Sequence, residues 1–174
     1  HHPFCGGVPS DVRITTRYNT EGFTQALMGV IHETGHALYE QGLPAEWQSQ
    51  PVGQALSTAV HESQSLLMEM QACRSQEFLH YLTPHLQGSF AAAQPRAAAW
   101  QEDNLYRLFT HVKRGYIRVD ADEVSYPLHV ILRYEIERQL IEGELEVAGI
   151  PEAWDARMQS YLGLSTAGNY RDGC

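Results

Sequence analysis

The apolar positions of residues 20–42, TEGFTQALMGVIHETGHALYEQG, recur at a helical interval. Phe23, Leu27, Val30, Ile31 and Leu38 fall mostly on one face, which predicts a helix. Thr20 suits its N-cap, and Gly42 stands where a C′ glycine ends a helix. Gly29 and Gly35 each weaken such a helix by about 1 kcal/mol relative to alanine, so the pattern implies close approach of another backbone or a substrate there. Upstream, DVRITTRY alternates and is β-branched, predicting a strand over 11–18. After a proline-bounded connection, LPAEWQSQPVG, few breakers occur from 54 to 82, so one long helix is expected to end before Pro84. Further helices are predicted over 95–114, with Pro95 in the first turn, over 127–142, stopped by Gly143, and over 151–162. A short strand is expected at 116–119, where the helical period breaks. The fold class expected is mainly α with a small β patch. The sequence has no internal repeat, and AAAQPRAAA is its only low-complexity stretch.

Length and charge narrow this picture. The 174 residues suffice for one domain, 1–174, with a real core. A net charge of −9, with Lys113 the single lysine, argues against a nucleic-acid partner. No apolar run approaches the roughly 20 residues that span a bilayer. The start, HHPFCGGVPSD, has neither a basic nor an apolar leader segment, and His1 and His2 could end an expression tag. Cys5, Cys73 and Cys174 are odd in number and far apart, which points to free thiols and a reducing, cytoplasmic setting.

The chemistry sits in HETGH, residues 32–36. Positions i and i+4 share a helix face, so His32 and His36 can grip one ion. Glu33 lies about 100° further round. It is placed to reach water on that ion as general base, the logic of H-E-x-x-H. A third protein ligand is needed. Position 42 is Gly, so the extended pattern with a third histidine is absent. Glu62, 26 residues after His36, is one candidate, and Glu69 competes. His61 is read either as a partner of a ligand or as a substrate contact.

Several motifs together resemble the carboxypeptidase Taq family. His2-Pro3-Phe4 resembles its H-P-F, and Asp11–Thr15 resembles its D-x-R-x-T. HETGH resembles its metal helix, and His61–Ser63 resembles the motif carrying the third ligand. Ile117–Glu123, IRVDADE, resembles its I-R-x-x-A-D. The resemblance implies a helical, gluzincin-like catalytic core and a metal-dependent carboxypeptidase. It implies His32, His36 and Glu62 as ligands of Zn²⁺, with Co²⁺ or another divalent ion as alternatives, and Glu33 as the catalytic base. The substrate would be a peptide with a free C-terminal carboxylate, gripped by a guanidinium such as Arg13 or Arg118. Arg17 and Arg133 are further arginines to weigh, and Tyr126 or His129 could donate to the developing oxyanion. A homodimer is among the assemblies implied. Rival readings are an oligopeptidase or endopeptidase on the same scaffold and a catalytically silent metal-binding fragment. Members of the family are longer, so the chain resembles an internal segment. It is expected to fold and hold metal, to self-associate, and to show little turnover alone.

Overall fold

The computed structural model describes residues 2–90, 97–169 and 171. His1, Pro95 and Cys174, on which expectations rested, lie outside them. The fold is mainly α with one two-stranded patch, as the sequence pattern predicts. Two compact units can be distinguished along the chain, His1–Phe109 and Thr110–Cys174.

The first unit opens with an antiparallel hairpin, β1 (Phe4–Val8) against β2 (Asp11–Thr15), with Phe4 opposite Thr15 and Val8 opposite Asp11. Helix α1 (Thr24–Gln41) follows. It begins four residues after Thr20, so Thr20 is not its cap, and Gly42 has a right-handed φ of −82° where a C′ glycine would be left-handed. Helix α2 (Thr58–Leu66) starts at an N-cap, Ser57, whose hydroxyl accepts from the Val60 amide at 3.2 Å. The long helix expected from 54 to 82 is broken. After Leu66 the backbone widens into a π turn, Leu67–Gln71, then tightens into a 3-10 turn, Ala72–Arg74. Helix α3 (Gln76–Phe90) then runs past Pro84 instead of stopping there. The ring removes one amide donor from the helix at a position that is itself exposed. Helix α4 is only Glu102–Phe109, shorter than the 95–114 expected.

The core of this unit joins Met28 of α1, Leu79, Leu82 and Leu86 of α3, Trp100, and Leu105 and Phe109 of α4. Phe23 lies 5.2 Å from the Phe90 ring and 5.7 Å from Trp100. Two turns further along the face that carries Met28, α1 packs on α2, and Gly35 makes that possible. A Cβ at position 35 would stand 2.6 Å from the Gln64 carbonyl oxygen and 2.6 Å from Ser65 Cα, both backbone atoms that cannot swing away. Gly35→Ala is therefore expected to destabilise by about 1–3 kcal/mol, as overpacking does, despite the ~1 kcal/mol that alanine gains in helix propensity. A urea titration checks the sign, and a stabilised variant would contradict the packing.

In the second unit the expected strand at 116–119 is instead an extended entry to a 3-10 turn, Arg118–Asp120. Helix α5 (Ser125–Ile141) ends at Gly143, which adopts φ +74°, and α6 (Ile150–Arg157) continues into a π turn, Met158–Leu162. Leu132, Met158 and Leu162 form the core, with Leu128 and Trp154 against it. Asp122 anchors the start of α5. Its carboxylate accepts from the amides of Lys113 at 2.8 Å and of Val124 and Ser125 at 2.9 Å each. Burial alone would raise its pKa, but those hydrogen bonds outweigh burial and hold it below the ordinary value. A depressed carboxylate stabilises above its unfolded pKa of about 3.9, and that contribution is lost as pH falls through the lower, folded value. Asp122→Ala is expected to cost about 1–3 kcal/mol at neutral pH by stranding the buried Ser125 amide and the part-buried amides of Lys113 and Val124. The cost should shrink in acid, which urea titrations at the two pH values measure.

Candidate metal centre

Helices α1 and α2 supply the site. On α1, His32 and His36 stand one turn apart, with ring centroids 5.0 Å from each other. On α2, the Ser57 cap sets the helix start so that Glu62 falls in the second turn, opposite them. Ligand-type atoms of His32, His36 and Glu62 all lie within 4.8 Å of one another. Both histidines turn Nε2 towards the same oxygen, Glu62 Oε2, at 3.7 Å for His32 and 3.3 Å for His36. The Ser65 hydroxyl donates to the Glu62 backbone carbonyl at 2.7 Å and lies 3.3 Å from that Oε2.

Each Nδ1 atom is engaged elsewhere. His32 Nδ1 meets Glu69 Oε2 at 2.8 Å. Glu69 thus takes the outer side of His32, while Glu62 faces the inner nitrogens. The π turn at Leu67–Gln71 delivers Glu69 to that position, and the Glu69 carbonyl accepts from Arg74 Nε at 3.3 Å. His36 Nδ1 meets His61 Nδ1 at 2.7 Å, and His61 Nε2 meets Glu40 Oε1 at 2.7 Å. Sequence reasoning missed Glu69 and Glu40 as partners of the histidine rings. No local signal marks them, since both contacts join separate turns of separate helices.

Two imidazole nitrogens and a carboxylate on one side, with their outer nitrogens already satisfied, are the donor set and the outer hydrogen bonding that a zinc-type ion requires. The residues therefore fit a divalent metal. Glu33 is 6 % exposed and lines the same open groove, about 590 Å³, with Phe4, Cys5, His36, Ser57 and Glu62. Burial raises its pKa most, with Glu62 and Glu69 adding to the rise against the pull of His32. His32 is opposed by burial, yet the Glu69 hydrogen bond and nearby carboxylates raise its pKa overall. His36 is lowered, by burial first and then by His32. Cys5 is raised by burial, and then by Glu33 and Glu40. Cys5 and Cys73 are free thiols.

The arginines differ. Arg13, on β2, is exposed and pairs with Asp11, Nη2 to Oδ2 at 2.7 Å. In the second unit, Arg118 donates to the Tyr126 hydroxyl at 2.6 Å and lies 5.4 Å from that ring's centroid. Its neighbour Asp122 is engaged by backbone amides. His129 has no exposed surface and donates from Nε2 to the Gly115 carbonyl at 3.1 Å. Arg133 donates to the His129 carbonyl at 2.8 Å and covers Trp154.

A helical core in which an H-E-x-x-H helix faces a glutamate on the following helix defines a gluzincin-like class. The profile of the family described as carboxypeptidase Taq (M32) metallopeptidase matches residues 1–174. The chain belongs to that family. It is 41 % identical to thermostable carboxypeptidase 1 of Thermus thermophilus over 173 residues, covering 99 % of this chain and 33 % of the relative. It is 38 % identical to carboxypeptidase 1 of Bacillus subtilis over 165 residues, 94 % of this chain and 32 % of the relative. Among solved structures, Trypanosoma cruzi metallocarboxypeptidase 1 superposes with a TM-score of 0.92 at 50 % identity, covering 99 % of this chain and 34 % of that one. The M32 carboxypeptidase of Deinococcus radiodurans R1 gives 0.86 at 42 % identity, covering 95 % and 33 %. The chain thus spans about a third of the length of these relatives. Among the described residues, no helix is long and apolar enough to cross a membrane.

Proposed function

We propose that the protein is a metal-dependent carboxypeptidase in which His32, His36 and Glu62 hold a divalent ion. The observation that carries this reading is the convergence of both Nε2 atoms on Glu62 while their Nδ1 atoms are held from outside. Two imidazoles and one carboxylate favour Zn²⁺, and Co²⁺ suits the same set. When bound, the ion supplies Lewis-acid polarisation of the scissile carbonyl and acidifies water towards a pKa of about 7. Glu33, buried at the groove wall beside the two histidines, takes the proton from the attacking water and passes it to the leaving amine. The Pro3–Cys5 edge forms part of the groove's wall. A reducing, cytoplasmic setting accords with the free thiols of Cys5 and Cys73.

The substrate carboxylate requires a guanidinium, and Arg118 is the better of the two motif arginines. Tyr126 accepts from its fork at 2.6 Å and orients it, whereas Arg13 is paired with Asp11 through both Nε and Nη2. His129, wholly buried, holds the Gly115 segment in place. In the intact protein, a peptide with a free C-terminal carboxylate is expected to be shortened one residue at a time, and its amidated twin only poorly. Arg118→Ala should reduce kcat/KM for the free acid more than for the amide. Equal cleavage of both peptides by the wild type would favour endopeptidase action instead.

A further inference from the structure

His36 and His32 are held in different ways. At His32 a carboxylate, Glu69, meets Nδ1 directly. At His36 a second imidazole, His61, stands between the ring and the carboxylate of Glu40. Glu40 lies one turn beyond His36 on α1, and His61 adjoins Glu62 on α2, so the three side chains tie the two helices together. With neutral rings, one proton arrangement satisfies both contacts. An ionised carboxylate only accepts, so His61 Nε2 must donate to Glu40. His61 Nδ1 is then an acceptor, and His36 Nδ1 must carry the proton. His36 Nε2 is left with its lone pair on the side of Glu62, 3.3 Å away. His61 is itself held in place: the Tyr39 ring packs edge-on against it at 5.0 Å, and the Tyr39 hydroxyl accepts from the Leu56 amide at 3.1 Å.

We propose that His61, oriented by Glu40, is a positioning residue that fixes His36 as the Nδ1–H tautomer and so selects Nε2 as its ligating atom. The inference rests on the metal reading above and deepens it. It gives His61, which also lines the groove, a task at His36, and gives Glu40 a task at His61.

The test measures metal affinity and tautomer, not turnover. In the intact protein, Zn²⁺ and Co²⁺ dissociation constants are determined by chelator competition. His61→Leu is expected to weaken binding by roughly 10–100-fold, the usual cost of losing a ligand's outer hydrogen bond. His61→Asn, whose Oδ1 can still accept from His36 Nδ1–H, should recover most of that loss. Glu40→Leu should weaken binding more than Glu40→Gln, which keeps an acceptor for His61. Nitrogen-15 shifts of His36 should report a protonated Nδ1 with and without metal. Wild-type affinity in His61→Leu overturns the proposal. So does an asparagine variant as weak as the leucine variant, because the loss is then one of packing. An unprotonated His36 Nδ1 also overturns it. Circular dichroism checks folding, and if His61→Leu does not fold, the asparagine variant and the Glu40 pair decide. If instead the wild type takes up no metal, or His32→Ala binds as well as wild type, the metal reading fails, and the tautomer measurement still decides the hydrogen-bonded chain.

Discussion

His32→Ala, His36→Ala and Glu62→Ala are each expected to strip the metal from the protein, while Glu69→Ala keeps it with affinity reduced by roughly 10–100-fold. The difference follows from which atoms face inward. Glu62 Oε2 lies within 3.7 Å of both Nε2 atoms, whereas Glu69 touches only the Nδ1 of His32. Removing one of three protein donors leaves two, too few for a site of this kind. Metal analysis after exhaustive dialysis separates the two outcomes. A Glu69→Ala protein without metal, beside a Glu62→Ala protein that keeps it, would reverse the assignment of the third ligand.

Glu33→Gln is expected to keep about one equivalent of metal and to lose at least ~10²–10⁴-fold in turnover, the range for losing a general base. Glutamine is nearly isosteric, so the buried position should accept it, and the residue is not part of the group that converges on Glu62. The amide cannot take a proton from water at neutral pH. Turnover of a free-carboxylate peptide and metal content are measured on the same sample. Near-normal turnover would remove Glu33 from the mechanism.

Much of the candidate site is legible in the sequence because it is local. His32, Glu33 and His36 are related by helix geometry alone, and a helix over 24–41 follows from its apolar interval. Glu62 is legible only as one of two carboxylates on the next helix. Choosing between it and Glu69 depends on a π turn, which no periodicity announces. Gly35 is a partial success of the same reasoning: a glycine inside a helix signals close approach, and the approaching group proves to be the backbone of α2. Pro84 misleads because it stands on the exposed side of a helix whose other side, with Leu82 and Leu86, is anchored in the core. The segment 116–119 reads as a strand from its β-branched residues, yet it has no neighbouring strand to pair with among the described residues, and it turns instead. Contacts such as Glu40 with His61 join side chains 21 positions apart and become visible only once α1 and α2 are packed.

The π turn at Leu67–Gln71 also makes this region sensitive to residue count rather than residue type. It accommodates an extra residue within one turn of helix. Deleting Met68 would remove that extra residue, and the side chains of the turn that follow it would swing back by about 100°. Glu69 would leave His32 Nδ1. The number of residues between Glu62 and Glu69 therefore fixes which carboxylate meets which nitrogen of His32.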